Sequence, residues 1–290
     1  MLGSFRCRSK LAPSRPLPTT MPELPEVETT RRGIAPHLTG GHVSRVLIRN
    51  PRLRQPIPAD LADIIGDRTL HAIKRRAKYL LLVFEHGTLL MHLGMSGSLR
   101  VIGRDTPPGK HDHIDIEFGD RVLRLHDPRR FGLVLWQQGS QAHPLLARLG
   151  IEPLDTAFDG HWLYEASRGR TTPAKLFIMD GKHIVGVGNI YASESLHAAG
   201  IDPRTPIGAL GPRRTARLAE AIRRTLQVAI DAGGSTLRDF VHSDGKPGYF
   251  QHQHQVYGRA GQPCARCGNS IRVMQMGQRS TYFCPTCQRR

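Results

Sequence analysis

"HIDIEFGDRVLRL", residues 113–125, alternates apolar and polar side chains on either side of a Gly-Asp pair. Ile114, Ile116 and Phe118 would share one face of a strand, because successive strand residues point to opposite faces. The Gly-Asp pair suits a tight hairpin turn into a second alternating run. This stretch therefore predicts two antiparallel strands with one apolar face.

Similar short runs lie on both sides of this hairpin. Between Val43 and Gln138 the further predicted strands are "KYLLLVF", "TLLMHLG", "GSLRVI" and "FGLVLWQ". Several strands without intervening helices indicate an antiparallel sandwich or barrel. Pro25, followed by acidic residues, predicts a helix that begins ahead of these strands.

After His143 the apolar period changes to that of helices. Helical runs are "HPLLARLG", "GNIYASESLHAAGI" and "RRTARLAEAIRRTLQVAIDAGG". The last has one apolar stripe, formed by Leu218, Ile222, Leu226 and Ala229. The pattern predicts a β domain followed by a helical domain.

The composition is strongly basic. The chain has 290 residues, with 41 Lys plus Arg against 24 Asp plus Glu, and a formal net charge of +17. This surplus favours a nucleic-acid partner, because neutralising phosphates releases counterions. A ribosomal-type or merely very soluble basic protein is the alternative on charge alone. No apolar run approaches the ~20 residues of a membrane span, so we expect no membrane partner.

Residues 1–20 differ from the rest. They contain four basic residues, no acidic residue and three prolines, which fits a non-structural leader, a mis-assigned start or an organelle transit peptide. Without them the net charge is still 17 − 4 = +13. We expect a cytoplasmic, nucleoid-associated protein, and an organelle location only if this segment is a genuine transit peptide.

Four of the five cysteines form two Cys-x2-Cys pairs near the C-terminus: Cys264, Cys267, Cys284 and Cys287. Two such pairs, with sixteen residues between them, are typical of one tetrahedral Zn2+ at the base of a β-hairpin. Four protein ligands leave no open position, so the zinc would be structural. The hairpin strands would be "RVMQM" and "STYF", with "GQRS" at the tip.

The pair Pro22-Glu23 lies within "MPELPEVE". An internal proline nitrogen is an amide and cannot attack, whereas an N-terminal proline is a secondary amine that can condense with carbonyl-like carbon. Glu23 could then move protons during ring opening of a sugar. The structural alternative is a helix-capping Pro-Glu pair.

Three further segments could contact nucleic acid, and each also has an ordinary structural explanation. "HDPRRFG", residues 126–132, combines arginines with a Phe that could wedge between bases, or it is a tight turn. "RRAKY", residues 75–79, places three cations ahead of a strand, which also fits a solvated edge. "VGVGNIYASE", residues 185–194, offers N–H groups for phosphate at a helix start, but lacks a dinucleotide or P-loop spacing.

These segments occur in order with "PELPEVE", "HLGMSGSL", "KHDH", "SDGKPGYF" and a terminal hairpin containing "QRSTYFC". The combination resembles the formamidopyrimidine-DNA glycosylase family of bifunctional repair enzymes, from Met21 to the C-terminus. The resemblance implies an α+β multidomain fold: an N-terminal antiparallel β-sandwich with flanking helices, a helix–two-turn–helix domain and a C-terminal four-cysteine zinc ribbon. We assign these parts to residues 21–140, 141–245 and 246–290.

The resemblance also implies roles for single residues. The catalytic set would be the nucleophile Pro22, its acid/base partner Glu23, the strand-cleavage residue Lys78 and the phosphate-binding Arg279. The gap left by a flipped nucleotide would be filled by Met95, Arg129 and Phe131. The kinked DNA backbone would be held by His111, Lys175, Asn189 and Arg170, the last standing where the family has a lysine. The loop 242–250, with Lys246, would close over the flipped base.

The implied activity is excision of oxidised purines, such as 8-oxoguanine and formamidopyrimidines, from duplex DNA. A monomer would then nick the resulting abasic site by β- and δ-elimination, with no soluble cofactor. One alternative is an endonuclease VIII-like glycosylase for oxidised pyrimidines. Another is a non-catalytic damaged-DNA binder, because a retained leader would leave Pro22 as an amide. We expect translation to start at Met21, or the leader to be removed, and Met21 then to be cleaved.

Overall fold

The computed structural model describes residues 21–233 and 254–290. Its N-terminal part is a sandwich of two antiparallel sheets. One sheet has the strand order β1–β6–β7–β5 and the other β2–β3–β4–β8. The strands are β1 (Arg45–Ile48), β2 (Ala72–Arg76), β3 (Tyr79–Phe84), β4 (Gly87–His92), β5 (Ser98–Gly103), β6 (Asp112–Phe118), β7 (Arg121–His126) and β8 (Leu133–Gln138). The predicted sandwich and the six predicted strands within it are confirmed.

The β6–β7 hairpin has the register expected from its alternation. Ile116 pairs with Leu123, and both side chains are buried in the core between the sheets. Asp115 points to the outer face, where Arg124 on β7 donates to both of its carboxylate oxygens, at 2.8 and 2.7 Å. The two-residue turn begins at Gly119, whose φ of +66° is a backbone conformation that glycine adopts without cost.

The helices flank the sandwich and build a second core. They are α1 (Leu24–Leu38), α2 (Leu61–Ile65), α3 (Pro144–Ala147), α4 (Gly160–Ser167), α5 (Ala174–Met179), α6 (Asn189–Ala199) and α7 (Pro212–Asp231), with a 3₁₀ turn at Ile207–Ala209. The α7 stripe predicted from the sequence is completely buried against α4 and α6. Leu24, at the start of α1, belongs to this second core, so α1 contacts both cores.

The C-terminal ribbon is a two-stranded hairpin of β9 (Arg272–Met276) and β10 (Arg279–Phe283). Its tip is a two-residue turn, Gly277-Gln278, and both residues have positive φ. The ribbon is joined to the end of α6 by hydrogen bonds from Gln288 Nε2 to the Ile201 carbonyl and from Asp202 N–H to the Arg289 carbonyl. The predicted hairpin is confirmed, but its tip is shorter than the predicted "GQRS", because Arg279 and Ser280 already belong to β10.

Over the described part of the chain, no helix has the length and apolarity needed to cross a bilayer. The leader and the loop 242–250 with Lys246, both singled out by the sequence, lie outside the described residues.

Candidate active site and DNA-binding face

Four structural elements meet around one open cavity of about 340 Å³. They are the start of α1, the turn between β2 and β3, the start of α6 and the tip of the ribbon hairpin. The cavity lining brings together four residues singled out by the sequence: Glu23, Lys78, Asn189 and Arg279. These residues are as much as 256 positions apart in the chain (279 − 23), so the fold alone makes them neighbours.

Glu23 lies between the two helices that begin at this cavity. Its carboxylate accepts hydrogen bonds from the backbone N–H of Gly188 at 2.7 Å and of Ile190 at 2.9 Å. Burial raises the pKa of Glu23 to about 7, although the nearby Lys78 charge and these N–H groups act in the opposite direction. A carboxyl group with a pKa near neutrality can both donate and accept a proton, which is what an acid/base catalyst needs.

The neighbouring Glu26 fixes the first turn of α1. Its Oε2 accepts the backbone N–H of Glu23 at 2.8 Å, and its Oε1 accepts the hydroxyl of Tyr191, on α6, at 2.7 Å. Leu24 N–H also donates to the Gly186 carbonyl at 3.1 Å. The buried Pro22 therefore sits at a helix start that is held by several contacts. This geometry satisfies the capping alternative for the Pro-Glu pair. Glu23 also lines the cavity, whereas the buried Pro22 is not among the lining residues, so its role as nucleophile stays a prediction.

Lys78 lies in a tight turn that a distant acid supports. The preceding residue, Ala77, has a left-handed backbone with φ +53°, which is unfavourable for a residue with a side chain. Glu152, in the segment between α3 and α4, accepts the Ala77 N–H at 2.6 Å. It also pairs with Arg75 at 2.8 Å and Arg76 at 2.9 Å. Glu152 could not be selected from the sequence, because an isolated acidic residue has no distinctive spacing.

Lys175 is fully buried beneath the cavity. Its ammonium donates to Asn189 Oδ1 at 2.6 Å, to Thr281 Oγ1 at 2.7 Å and to the Ser280 carbonyl at 3.2 Å. Burial lowers the pKa of Lys175 to about 8. In this arrangement Lys175 joins the start of α6 to strand β10, which begins at Arg279. Its contact with a DNA backbone stays a prediction.

The three predicted gap-filling residues lie on two adjacent loops. Arg129 and Phe131 are exposed, with the guanidinium carbon 5.0 Å from the ring centroid, while Met95 is half-buried. The loops approach so closely that a Cβ on Gly94 would lie 2.4 Å from the Phe131 carbonyl carbon. Asp127 accepts the Ser96 hydroxyl and the Gly132 N–H, both at 2.8 Å, and so connects the two loops.

Comparison with known families accounts for most of the chain. Residues 21–134 match the formamidopyrimidine-DNA glycosylase N-terminal domain. Residues 149–241 match the H2TH domain of the same enzymes, and residues 261–290 match a zinc finger found in FPG and IleRS. The chain belongs to the formamidopyrimidine-DNA glycosylase family.

Named relatives of this family align along nearly all of the chain. The formamidopyrimidine-DNA glycosylase of Aromatoleum aromaticum is 59% identical over 93% of this chain and all of the relative, and that of Stutzerimonas stutzeri is 58% identical with the same coverage. Among solved structures, Lactococcus lactis Fpg bound to DNA with an abasic site superposes with a TM-score of 0.85, at 33% identity over 92% of this chain and all of that one. Thermus thermophilus MutM (Fpg) gives 0.82, at 38% identity over 92% and 98% of the two chains.

Two more of the residues implied by the glycosylase resemblance are not among those that line the cavity. His111 is half-buried, with its ring centroid 5.9 Å from that of His126. Arg170 is exposed, its Nε donates to the Ala166 carbonyl at 2.8 Å, and its guanidinium lies over the Phe177 ring. Their DNA contacts stay predictions.

The four cysteines of this glycosylase form one compact cluster, in which all Sγ atoms lie within 4.8 Å of one another. Cys264 and Cys287 are 3.9 Å apart and Cys267 and Cys284 are 3.5 Å apart. Tetrahedral zinc with Zn–S bonds of ~2.3 Å requires sulfur–sulfur distances of about 3.8 Å. The cluster therefore fits one structural Zn2+, which when bound cross-links the base of the hairpin that carries Arg279.

Proposed function

We propose that this glycosylase excises oxidised purines from duplex DNA with the Pro22 amine as nucleophile and then cleaves the strand at the same sugar. The observation that carries the proposal is the buried Glu23 carboxyl group. It is adjacent to Pro22, has a pKa raised to about 7, and lines a cavity with Lys78 and Arg279. A relative from Lactococcus lactis was solved with DNA containing N7-benzyl-Fapy-dG, which supports a damaged purine as substrate.

The first chemical step joins Pro22 to the sugar. The amine attacks C1′ of the flipped nucleotide, the bond from C1′ to the base breaks with its electron pair going to the base, and the base leaves with the proton that the amine nitrogen loses. Glu23 in its protonated form donates a proton to the ring oxygen as the sugar opens, and the C1′–nitrogen bond becomes an iminium. Because the pKa of Glu23 is about 7, a proton is available to it near neutral pH.

Strand cleavage follows from the iminium. It acidifies a proton on C2′, which the Glu23 carboxylate left by ring opening can accept, and the C3′–O bond to the 3′ phosphate then breaks. A second elimination breaks the C5′–O bond and releases the 5′ phosphate. Lys78 and Arg279 supply positive charge at the cavity, and such charge stabilises departing phosphates. Met95, Arg129 and Phe131 would occupy the space of the extruded nucleotide. The free energy needed to unstack and unpair a base is lower when that base is damaged.

This chemistry requires Pro22 to carry a free amine, so we propose that the active molecule begins at Pro22. The family match starts at residue 21, and a full-length relative aligns with 271 of the 290 residues. In the chain with Met21 in place, Met21 itself lines the cavity. That form is expected to bind damaged DNA without reacting.

The test is borohydride trapping on an 8-oxoguanine duplex. The chain starting at Pro22 should give a covalent adduct and a nicked strand, while the chain starting at Met1 and the Pro22→Gly variant should trap far less. Binding to abasic-site DNA shows that each form is folded. Equal trapping by the Met1 form would refute the Pro22 nucleophile, and faster cleavage of thymine glycol than of 8-oxoguanine would favour the pyrimidine-specific alternative.

We also propose the cellular setting and the domain division. Without the leader the net charge is still 17 − 4 = +13, which supports action on nucleoid DNA in the cytoplasm. The described residues that line the cavity all come from one chain, which supports a monomer. The boundaries at residues 140 and 245 fall near the ends of the matched segments at 134 and 241.

A further inference from the structure

Helix α6 connects the catalytic cavity to the cysteine cluster. Its first residue, Asn189, lines the cavity, and its last turn contains His197. Arg266, which lies between the first two cysteines, donates to the carbonyl of His197 at 3.0 Å and to that of Ala198 at 3.3 Å. The end of the helix that starts at the active site is therefore capped by the zinc-binding segment.

His197 also makes a side-chain contact with a zinc ligand. Its Nε2 lies 3.5 Å from Cys264 Sγ, and the two residues are only 1% and 2% exposed. A zinc-bound cysteine is a thiolate, which has no proton to donate. The imidazole must therefore be the donor in this contact, with its proton on Nε2.

The negative charge of the zinc–thiolate site explains why a hydrogen-bond donor is favourable here. Four thiolates around Zn2+ leave two net negative charges, and a buried negative charge is costly unless donors surround it. Cys267 is exposed to water, and Cys284 Sγ receives the backbone N–H of Cys287 at 3.5 Å. For the buried Cys264, the side-chain donor that comes from outside the ribbon is His197.

We propose that His197 is a positioning residue of the zinc site. Its Nε2–H donates to the Cys264 thiolate, orients that ligand, and fastens the ribbon to α6. Zinc is then held more tightly than by the four cysteines alone. The proposal goes beyond the glycosylase function, since it concerns how strongly the metal is retained.

The test compares two replacements of His197 in the zinc-loaded full chain. His197→Phe keeps a ring of similar size but has no donor, whereas His197→Gln keeps an N–H group at nearly the same reach. The zinc dissociation constant is measured by competition with a chelator. We expect His197→Phe to weaken zinc binding about 10- to 100-fold, the usual effect of removing a partner of a metal ligand, and His197→Gln to stay near wild type.

A matched control is His183→Phe. His183 stacks on Phe177 with ring centroids 4.4 Å apart, so this variant removes an imidazole without touching the cysteine cluster. Its zinc affinity should equal that of the wild type. If His197→Phe does not fold, His197→Met, which also lacks a donor, takes its place.

The Co2+-substituted protein provides a readout that packing alone would not change. A hydrogen bond stabilises the sulfur lone pairs, so its loss should move the sulfur-to-cobalt charge-transfer band to longer wavelength in His197→Phe and not in His197→Gln. Two results would overturn the proposal. One is unchanged zinc affinity and an unchanged band in His197→Phe. The other is equal weakening in the Phe and Gln variants, which would assign His197 to packing.

Discussion

Glu23 and Gly188 are in direct contact: the Gly188 N–H donates to Glu23 Oε2 at 2.7 Å, and a Cβ on Gly188 would lie 2.3 Å from the Glu23 carboxyl carbon. Gly188 has φ −112° and ψ −157°, a conformation open to any L residue. The contact, and not the backbone, therefore restricts this position to glycine.

Gly188→Ala should displace the Glu23 carboxylate and slow base excision about 100-fold, the scale of loss that an error of about 1 Å in a catalytic group can cause. Single-turnover excision from an 8-oxoguanine duplex measures this, with binding to abasic-site DNA as a check on folding. Gly33→Ala is the control, because a Cβ there meets nothing within 4 Å. An unchanged rate in Gly188→Ala would show that the position of Glu23 is not critical.

The raised pKa of Glu23 predicts a pH dependence of stability in the full chain. The pKa is about 7 when folded and 4.5 for the unperturbed group, so the folded state binds the extra proton between these values. The stabilisation is fully present below pH 4.5 and is lost as the pH rises through 7. A shift of this size corresponds to about 3 kcal/mol.

Urea unfolding at several pH values tests this against Glu23→Gln, whose neutral amide resembles the protonated acid. The free energy of unfolding of the wild type should fall relative to that of Glu23→Gln as the pH is raised from about 4.5 to about 7. Glu85→Gln, at an exposed position, should follow the wild type. Parallel curves for the wild type and Glu23→Gln would mean that Glu23 titrates normally.

The sequence predicted much of the fold and singled out four residues that line the cavity, and what it missed has a physical reason. Strand alternation predicted the sandwich and the α7 stripe predicted the long helix. Both signals exist because an element buried on one face has apolar residues at regular intervals along the sequence. The short helices α2, α4 and α5 have five to eight residues, too few to show such a period. Glu152 and Asp127 act through contacts that the fold creates across 75 and 31 residues, and no local pattern records such contacts.

Glu152 is expected to matter for strand cleavage, because it accepts the N–H of the left-handed Ala77 beside Lys78. Glu152→Gln removes the charge that pairs with Arg75 and Arg76 and loosens this turn. Cleavage of a preformed abasic site, which tests the step after base loss, should slow, and the free energy of unfolding should fall by about 2 kcal/mol.

Glu165→Gln is the matched control for this change, since Glu165 is exposed and forms an ion pair with Arg168 three residues later. It should alter neither cleavage nor stability by a measurable amount. Normal cleavage of the abasic site by Glu152→Gln would show that the Glu152 contacts do not determine the position of Lys78.

Asp127 should set how firmly the gap-filling residues are presented to DNA. Its two oxygens hold the Ser96 hydroxyl and the Gly132 N–H, and Arg129 N–H donates to Ser96 Oγ at 3.2 Å. Asp127→Ala leaves the buried Gly132 N–H without this acceptor, which costs about 1–3 kcal/mol. With both loops loosened, Arg129 and Phe131 no longer have a fixed position, and binding to abasic-site DNA should weaken.

A double-mutant cycle distinguishes this network from a general loss of stability. If Asp127 acts on the loops partly through Ser96, then Asp127→Ala, Ser96→Ala and the double variant should show non-additive losses of affinity, because residues in one hydrogen-bond network couple. Asp120→Ala, in the exposed β6–β7 turn, should bind like the wild type. Strictly additive losses would show that the two side chains act independently, and the link between the Met95 loop and the Arg129 loop would then have to lie in the close backbone packing at Gly94.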